Sequence, residues 1–235
     1  MIYSIKKLSP QDKEICEKTL GPRPFFALVG DHIARRESLS VVRVADGERA
    51  LLEAPDGEPF TLFNRPEENW NKRYGIAELS IEEVKKNILQ AGNTCTYFAP
   101  SISGISRDDY RLYDFFNSRD LYVDNFFVND WTREMIGLLL HASDGVFVIH
   151  KDADELIENF AKTYGLDPAH FAGFTKLSAR DNDAAVAAAI ESKKHLVLFS
   201  AGPAGKIIGP QIAKDGRVTL DIGNTLHRWS LGNVR

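Results

Sequence analysis

Three short stretches of this 235-residue sequence hold residue types that could do chemistry. In the first, Val41-Val42-Arg43-Val44-Ala45-Asp46-Gly47-Glu48, an apolar run ends in two carboxylates separated by one glycine. Carboxylates this close repel each other unless a cation or strong donors lie between them. Oxygen ligands of this kind suit Mg²⁺ or Mn²⁺, completed by substrate phosphates and water. The glycine would let the backbone turn sharply and approach a ligand. Taken alone, the stretch reads more readily as a polar turn with solvated acids.

The second stretch, Ser200-Ala201-Gly202-Pro203-Ala204-Gly205-Lys206, follows the apolar run His195 to Phe199. Small residues between a buried strand and a helix leave backbone N–H groups free to cradle phosphate, helped by the helix dipole. Pro203 would suit the first turn of that helix, and Lys206 would add a positive charge. A tight connection with no ligand is an equal reading. The third stretch is Leu220-Asp221-Ile222-Gly223-Asn224, where an acid at a buried strand end must pair, cap or bind something. Neither the P-loop spacing nor a G-x-G-x-x-G is present.

The elements that position these stretches follow from periodicity. The first 37 residues read as helical, with Ser9-Pro10 opening one helix and Pro24 to Glu37 forming a second. Leu39 to Val44 is a strand, and Ala50-Leu51-Leu52 could start a helix. The Pro-, Gly- and Asn-rich segment 54–74 reads as a surface loop or lid, with Trp70 and Tyr74 as acceptor-facing aromatics. Ser80-Ile81-Glu82-Glu83 is a capping box opening a helix to Ala91, followed by a strand from Thr94 to Ala99. Further helices are expected over Asp108–Asn117, Trp131–His141, Asp152–Tyr164 and Asp183–Ser192. Further strands are expected over Leu121–Val128, Gly145–Ile149, His195–Phe199 and Val218–Ile222. Short apolar strands separated by helices imply an α/β fold, a Rossmann-like, mostly parallel sheet with helices on both faces. The chain reads as a single domain over 1–235. In such folds ligands gather beyond the carboxyl ends of the strands, where all three stretches fall.

Composition narrows the function classes. A formal net charge of -4 and a pI near 5.9 argue against a general electrostatic grip on nucleic acid. Cys16 and Cys95 are far apart and read as reduced, structural thiols. The charged N-terminus does not read as a signal peptide, and no apolar run reaches the roughly 20 residues that span a bilayer. A cytoplasmic protein is expected.

Together the three stretches resemble the GT-D-fold family of bacterial nucleotide-sugar glycosyltransferases. In that family a strand of the type S-[IV]-V-R-F-G-D-G-E carries a D-x-E metal motif, and Ser40 to Glu48 matches it closely. A later G-P-[TS]-A stretch, a glycine and a D-I-G-H strand end are matched in order by Gly202-Pro203-Ala204, Gly216 and Asp221-Ile222-Gly223. The resemblance implies that Asp46 and Glu48 hold Mn²⁺ or Mg²⁺ and the donor diphosphate or sugar. It implies that Gly202, Pro203 and Ala204 lie against the nucleotide and Asp221 lies near the same pocket, with Arg43 and Gly47 in the donor-binding set. The departures are Val44 for an aromatic, Ala45 for glycine, Asn224 for the common histidine, Gly205, and Pro210 inside the following helix. The last predicts a kink or a later helix start.

The implied activity is transfer of a sugar from a nucleoside diphosphate sugar to an acceptor hydroxyl. The acceptor expected from the resemblance is a glycan or glycoprotein, with a modified DNA base less favoured. The alternatives are another metal-dependent nucleotide enzyme and a non-catalytic binding module on the same fold. Other residues of suitable type admit blander roles. His150, Lys151 and His227 lie near the expected binding side, and His141 reads as a satisfied packing residue. Asn125 to Arg133 is a further pocket candidate, in which Asp130 is expected to cap a helix and Arg133 to be solvated.

Overall fold

Alternation within each apolar run decides which face of the sheet a strand residue serves. The computed structural model of the chain describes residues 10–55, 79–101 and 115–234. The side chains of residues 10–12 and of Asp46 lie outside that description, as do residues 56–74 of the proposed lid, Trp70 and Tyr74 included, and residues 108–114 of the helix expected over 108–117, whose described remainder, 115–117, is not helical. The chain opens with α1 (Pro10–Glu17), β1 (Thr19–Leu20) and α2 (Pro22–Arg35), then β2 (Leu39–Val44) and α3 (Asp46–Glu53). After the first gap come α4 (Ile81–Thr94) and β3 (Tyr97–Pro100). After the second come β4 (Tyr122–Val123), α5 (Phe127–Asp130), α6 (Arg133–Ala142) and β5 (Val146–His150). The remainder is α7 (Ala153–Tyr164), β6 (Phe171–Thr175), α8 (Asn182–Glu191), β7 (Leu196–Phe199), α9 (Ile208–Ala213), β8 (Val218–Asp221) and α10 (Leu226–Ser230).

The strands form one sheet in the order β1-β4-β3-β2-β8-β7-β5-β6. Every described pairing is parallel, with Val41 opposite both Tyr97 and Leu220, and Leu198 opposite Leu220. Leu39 and Val41 of β2 pack with Phe25, Val29 and Ile33 of α2 on one face. Their neighbours Val42 and Val44 pack with Leu51 of α3 and Val84 and Ile88 of α4 on the other. The same split runs through β7, where Leu196 and Leu198 join the first core and Val197 and Phe199 meet Ile208 and Ile212 of α9. The expected two-faced α/β sheet is the observed one.

Several local expectations need correction. The 37-residue opening contains a two-residue strand, β1, between its helices. Asp46-Gly47-Glu48 is not a strand-end turn but the first turn of α3, which starts four residues before the apolar Ala50-Leu51-Leu52. Thr94 ends α4 instead of opening a strand. Only Tyr122 and Val123 of the long run to Val128 pair in the sheet, because Phe127 turns into α5. The cap of α6 is Thr132, whose side chain accepts from the Met135 N–H, and not Asp130. Strand β6 was absent from the expected set. Pro210 is the third residue of α9, so its missing N–H costs no internal bond, as the later helix start predicts. Among the described residues no helix is long and apolar enough to cross a membrane.

Candidate active site

The chain runs outward from β2 through β3 to β4, then crosses to the other half of the sheet, so β2 and β8 meet at the switch of direction. Ligands in open parallel sheets bind in the crevice this leaves at the carboxyl ends. A cavity of about 420 Å³ lies there. It is lined from the ends of β2 (Arg43, Ala45, Gly47, Glu48), β5 (His150, Lys151), β6 (Lys176, Leu177, Ser178), β7 (Ser200 to Pro203, Lys206) and β8 (Asp221, Gly223, Asn224, Thr225), with Asn125.

At its floor Lys206 sits between two carboxylates. Its Nζ lies 2.6 Å from Asp221 Oδ2 and 3.3 Å from Glu48 Oε1. Burial acts to lower the Lys206 pKa, but attraction to Asp221 and then Glu48 outweighs it and holds the ammonium above the ordinary lysine range. Glu48 is fixed from behind because its Oε2 accepts the Ala45 N–H at 3.0 Å, closing the first turn of α3. Ala45 has φ -132° and ψ -164°, extended backbone that needs no glycine, which is why alanine serves there.

Arg43 ties three elements together below the cavity. Its guanidinium donates to the Asn125 carbonyl at 3.0 Å, to Asn125 Oδ1 at 3.1 Å and to the Ile222 carbonyl at 2.7 Å. Its backbone N–H donates to Asp221 Oδ2 at 3.2 Å. Burial lowers the Arg43 pKa, with Asp221, Glu48 and Asp124 opposing that shift. Asn125 in turn donates to the carbonyls of Val44 and Ala99, holding the ends of β2 and β3. Gly223 has φ 59°, and a Cβ there would stand 3.0 Å from Arg43 Nη1, so this position calls for glycine twice over.

On the β5 side, His150 is buried, and its Nδ1 accepts the Asp152 N–H at 3.0 Å. Burial first, and then the nearby His227, push the His150 pKa down to about 4. The ring is therefore neutral at pH 7, with its proton on Nε2. His227 Nε2 lies 3.3 Å from Asp152 Oδ2, and one ligand atom from each of His150, Asp152 and His227 falls within a 4.8 Å group.

The structure thus brings Arg43, Gly47, Glu48, Gly202, Pro203 and Asp221 together, along with His150, Lys151 and Lys206. The Asp46 side chain lies outside the described residues. Gly47 lines the cavity from within α3, so it is not the turn residue expected. Ala204 faces the core, at 1% exposure, while the flanking Gly202 takes φ 67° and ψ -179°, a region open essentially to glycine alone. His141 is exposed on α6 and satisfied by the Tyr164 carbonyl, and Arg133, also exposed, meets the Thr163 carbonyl. Neither reaches the cavity. Lys176, Leu177, Ser178 and Asp152 were missed; only a prediction of β6 would have pointed to the first three.

The resemblance implies a divalent cation on Asp46 and Glu48, and the described residues test that fit. A cation ligated by Glu48 Oε1 at about 2.1 Å would lie no more than about 5.4 Å from the Lys206 ammonium, given the 3.3 Å between Oε1 and Nζ. At an effective dielectric of about 20, the repulsion there is at least about 6 kcal/mol. Moving Lys206 aside would strip Asp221, only 2% exposed, of its counter-charge. Breaking such a buried pair typically costs about 3–5 kcal/mol. On the same scale the attraction of that cation to Glu48 Oε1 is about 16 kcal/mol, so Lys206 weakens a cation site on Glu48 without ruling it out, and the side chain of Asp46, its expected partner there, lies outside the described residues.

No family model and no curated protein matches the chain's sequence. Its fold does match solved structures. One is described as "The highly conserved domain of unknown function 1792 has a distinct glycosyltransferase fold", at TM-score 0.53 and 14% identity over 92% of this chain and 80% of that one. A selenomethionine-substituted structure of the same domain matches at TM-score 0.52 and 16% identity, with the same coverage. The class defined by architecture is therefore an α/β protein with a parallel sheet and a crevice at the switch of strand order. Within that class, the particular fold is the glycosyltransferase fold of domain 1792.

Proposed function

We propose that this chain is a glycosyltransferase that moves a sugar from a nucleoside diphosphate sugar to an acceptor hydroxyl. The observation that carries this reading is the charge of the crevice. Four basic side chains, Arg43, Lys151, Lys176 and Lys206, line it against two acidic ones, Glu48 and Asp221. Basic side chains thus gather along the described lining in a chain whose net charge is -4, with the Asp46 side chain lying outside that description. The diphosphate of a nucleotide sugar brings the complementary charge, and the glycosyltransferase fold supplies the setting.

In this reading Lys206 faces the diphosphate and stabilises the charge that grows on it as the glycosidic bond breaks. His150, neutral and protonated on Nε2, acts as a hydrogen-bond donor and not as a base. The acceptor class, a glycan or glycoprotein, follows from the family resemblance. Calorimetric titration with a panel of nucleoside diphosphates and their sugars tests the donor site, and nucleotide release with and without candidate acceptors tests transfer. The expected result is binding of one nucleobase class and release stimulated by an acceptor hydroxyl. Acceptor-independent release would make it a hydrolase. Absence of binding in folded protein would leave only a binding module.

A further inference from the structure

We infer that His150, Asp152 and His227 form a binding site for a transition-metal dication of the Zn²⁺ class, which shares no ligand with the Asp46–Glu48 pair. Asp152 Oδ2 lies 3.6 Å from His150 Nδ1 and 3.3 Å from His227 Nε2. Ligand atoms about 2.0–2.1 Å from a tetrahedral Zn²⁺ stand about 3.4 Å from one another, so both spacings suit a shared ion. One nitrogen of each ring and a carboxylate oxygen lie within 4.8 Å of one another. The widest pair therefore has no more than about 1.4 Å to close. The two ring centres are 4.9 Å apart, and imidazoles sharing one tetrahedral ion put theirs about 5 Å apart. Two imidazoles and a carboxylate suit Zn²⁺ and its transition-metal neighbours, whereas Mg²⁺ and Ca²⁺ favour oxygen ligands alone.

The ring chemistry fits as well. His150 Nδ1 accepts the Asp152 N–H at 3.0 Å, so its lone pair is available and the ring proton is on Nε2. A metal ion on Nδ1 replaces that N–H and leaves the Nε2 proton in place on a ring that lines the crevice. His227 ligates through Nε2 with its own proton on Nδ1. Lys151 Nζ lies 3.8 Å from Asp152 Oδ2, but its side chain is 69% exposed and can turn to solvent without uncovering a buried charge. The ligands stand on firm elements. Strand β5 is paired on both sides, with β6 and β7. Helix α10 joins α7 in the first core through Leu226, Trp229, Ala153 and Leu156, and the Tyr164 hydroxyl donates to the Trp229 carbonyl at 2.8 Å. Three protein ligands leave a fourth position for water or for an oxygen of a bound molecule.

The test is titration of the intact, untagged chain with Zn²⁺ by calorimetry and with Co²⁺ by visible absorption. Co²⁺ should show the intense bands of a four- or five-coordinate site with nitrogen ligands, which an all-oxygen octahedral site does not give. His227→Ala should abolish those bands and lower Zn²⁺ affinity by at least about 100-fold, because even the outer partners of metal ligands are worth about 10–100-fold. The His227 side chain is 39% exposed, so its loss leaves the core intact. Asp152→Asn gives a second variant of nearly the same shape and should weaken Zn²⁺ binding in the same direction. Glu48→Gln should bind Zn²⁺ as the parent does. Binding that survives both His227→Ala and Asp152→Asn, or that is lost in Glu48→Gln, assigns the ion to other residues and overturns the site. No binding of Zn²⁺ or Co²⁺ by folded protein overturns it too. All these outcomes leave the transferase reading standing, since nucleotide binding decides that separately.

Discussion

Replacing Lys206 by methionine keeps the aliphatic stem and removes one charge from the floor of the crevice. The ammonium faces Asp221 at 2.6 Å and Glu48 at 3.3 Å, and its side chain is only 10% exposed. At an effective dielectric of about 20, the gross attractions are about 6 and about 5 kcal/mol. Most of this is offset by the cost of burying the charges. The expected net loss is the about 3–5 kcal/mol that follows when one member of a buried pair is left alone. The sharper measurement is a double-mutant cycle with Asp221→Asn, using urea unfolding at neutral pH. Once Lys206 is gone, Asp221→Asn removes an uncompensated carboxylate, so the double variant should be more stable than the summed single losses predict. A coupling of about 2–3 kcal/mol is expected. Additivity within about 0.5 kcal/mol would refute the reasoning, because it would mean that the two side chains do not share a pair in solution.

Three further perturbations follow from the same geometry. Because the His150 pKa is held at about 4, its proton is bound first by the unfolded chain, whose histidine titrates near 6.5. Its contribution to stability is therefore lost as pH falls from about 6.5 to about 4, at up to about 1.4 kcal/mol per pH unit. His150→Asn, which can still accept the Asp152 N–H, should flatten that part of the urea-stability profile. Gly202→Ala forces a side chain into a glycine-only backbone region and should cost about 1–3 kcal/mol with weakened nucleotide binding, read by thermal shift with and without nucleotide. Arg43→Lys keeps the charge but not the fork that meets Asn125 and Ile222. About 3 kcal/mol lost in denaturant unfolding is the expected outcome, and a change under 1 kcal/mol would show that the fork is dispensable.

Much of the frame was legible in the sequence because the strands are short apolar runs whose alternate residues serve different cores. Leu39 to Val44, His195 to Phe199 and Val218 to Ile222 announce buried strands on both faces, and the residues after each fall at one end of the sheet by topology alone. Strand β6 was hidden because Phe171-Ala172-Gly173-Phe174-Thr175 is a sheet edge with glycine in the middle and only two large apolar residues. With it went Lys176 to Ser178. The role of Lys206 was half visible, since its charge could be read but its partners could not. Glu48 and Asp221 lie 158 and 15 residues away, and no local spacing joins them. Asn125 was no more than part of a candidate segment, because its value is in four hydrogen bonds to elements far along the chain.

Those long-range bonds also explain why the crevice can be ready before any ligand arrives. Glu48 is oriented by its own helix through Ala45, and Asp221 by the Arg43 N–H and the Lys206 ammonium. Arg43 is fixed by carbonyl groups that belong to the ends of other elements, so its charge is held without consuming a carboxylate of the floor. Glu48, Asp221, Arg43 and Lys206 are thus positioned by the fold and not by the substrate. Dipoles and charges already aimed at the developing anion need no reorganisation when the bond breaks, which is the condition under which electrostatic stabilisation is most effective. The same arrangement makes the core of the sheet and the candidate chemistry inseparable: a change at Asn125, which lines the crevice and also holds the Arg43 guanidinium, should displace Arg43 and lower donor affinity.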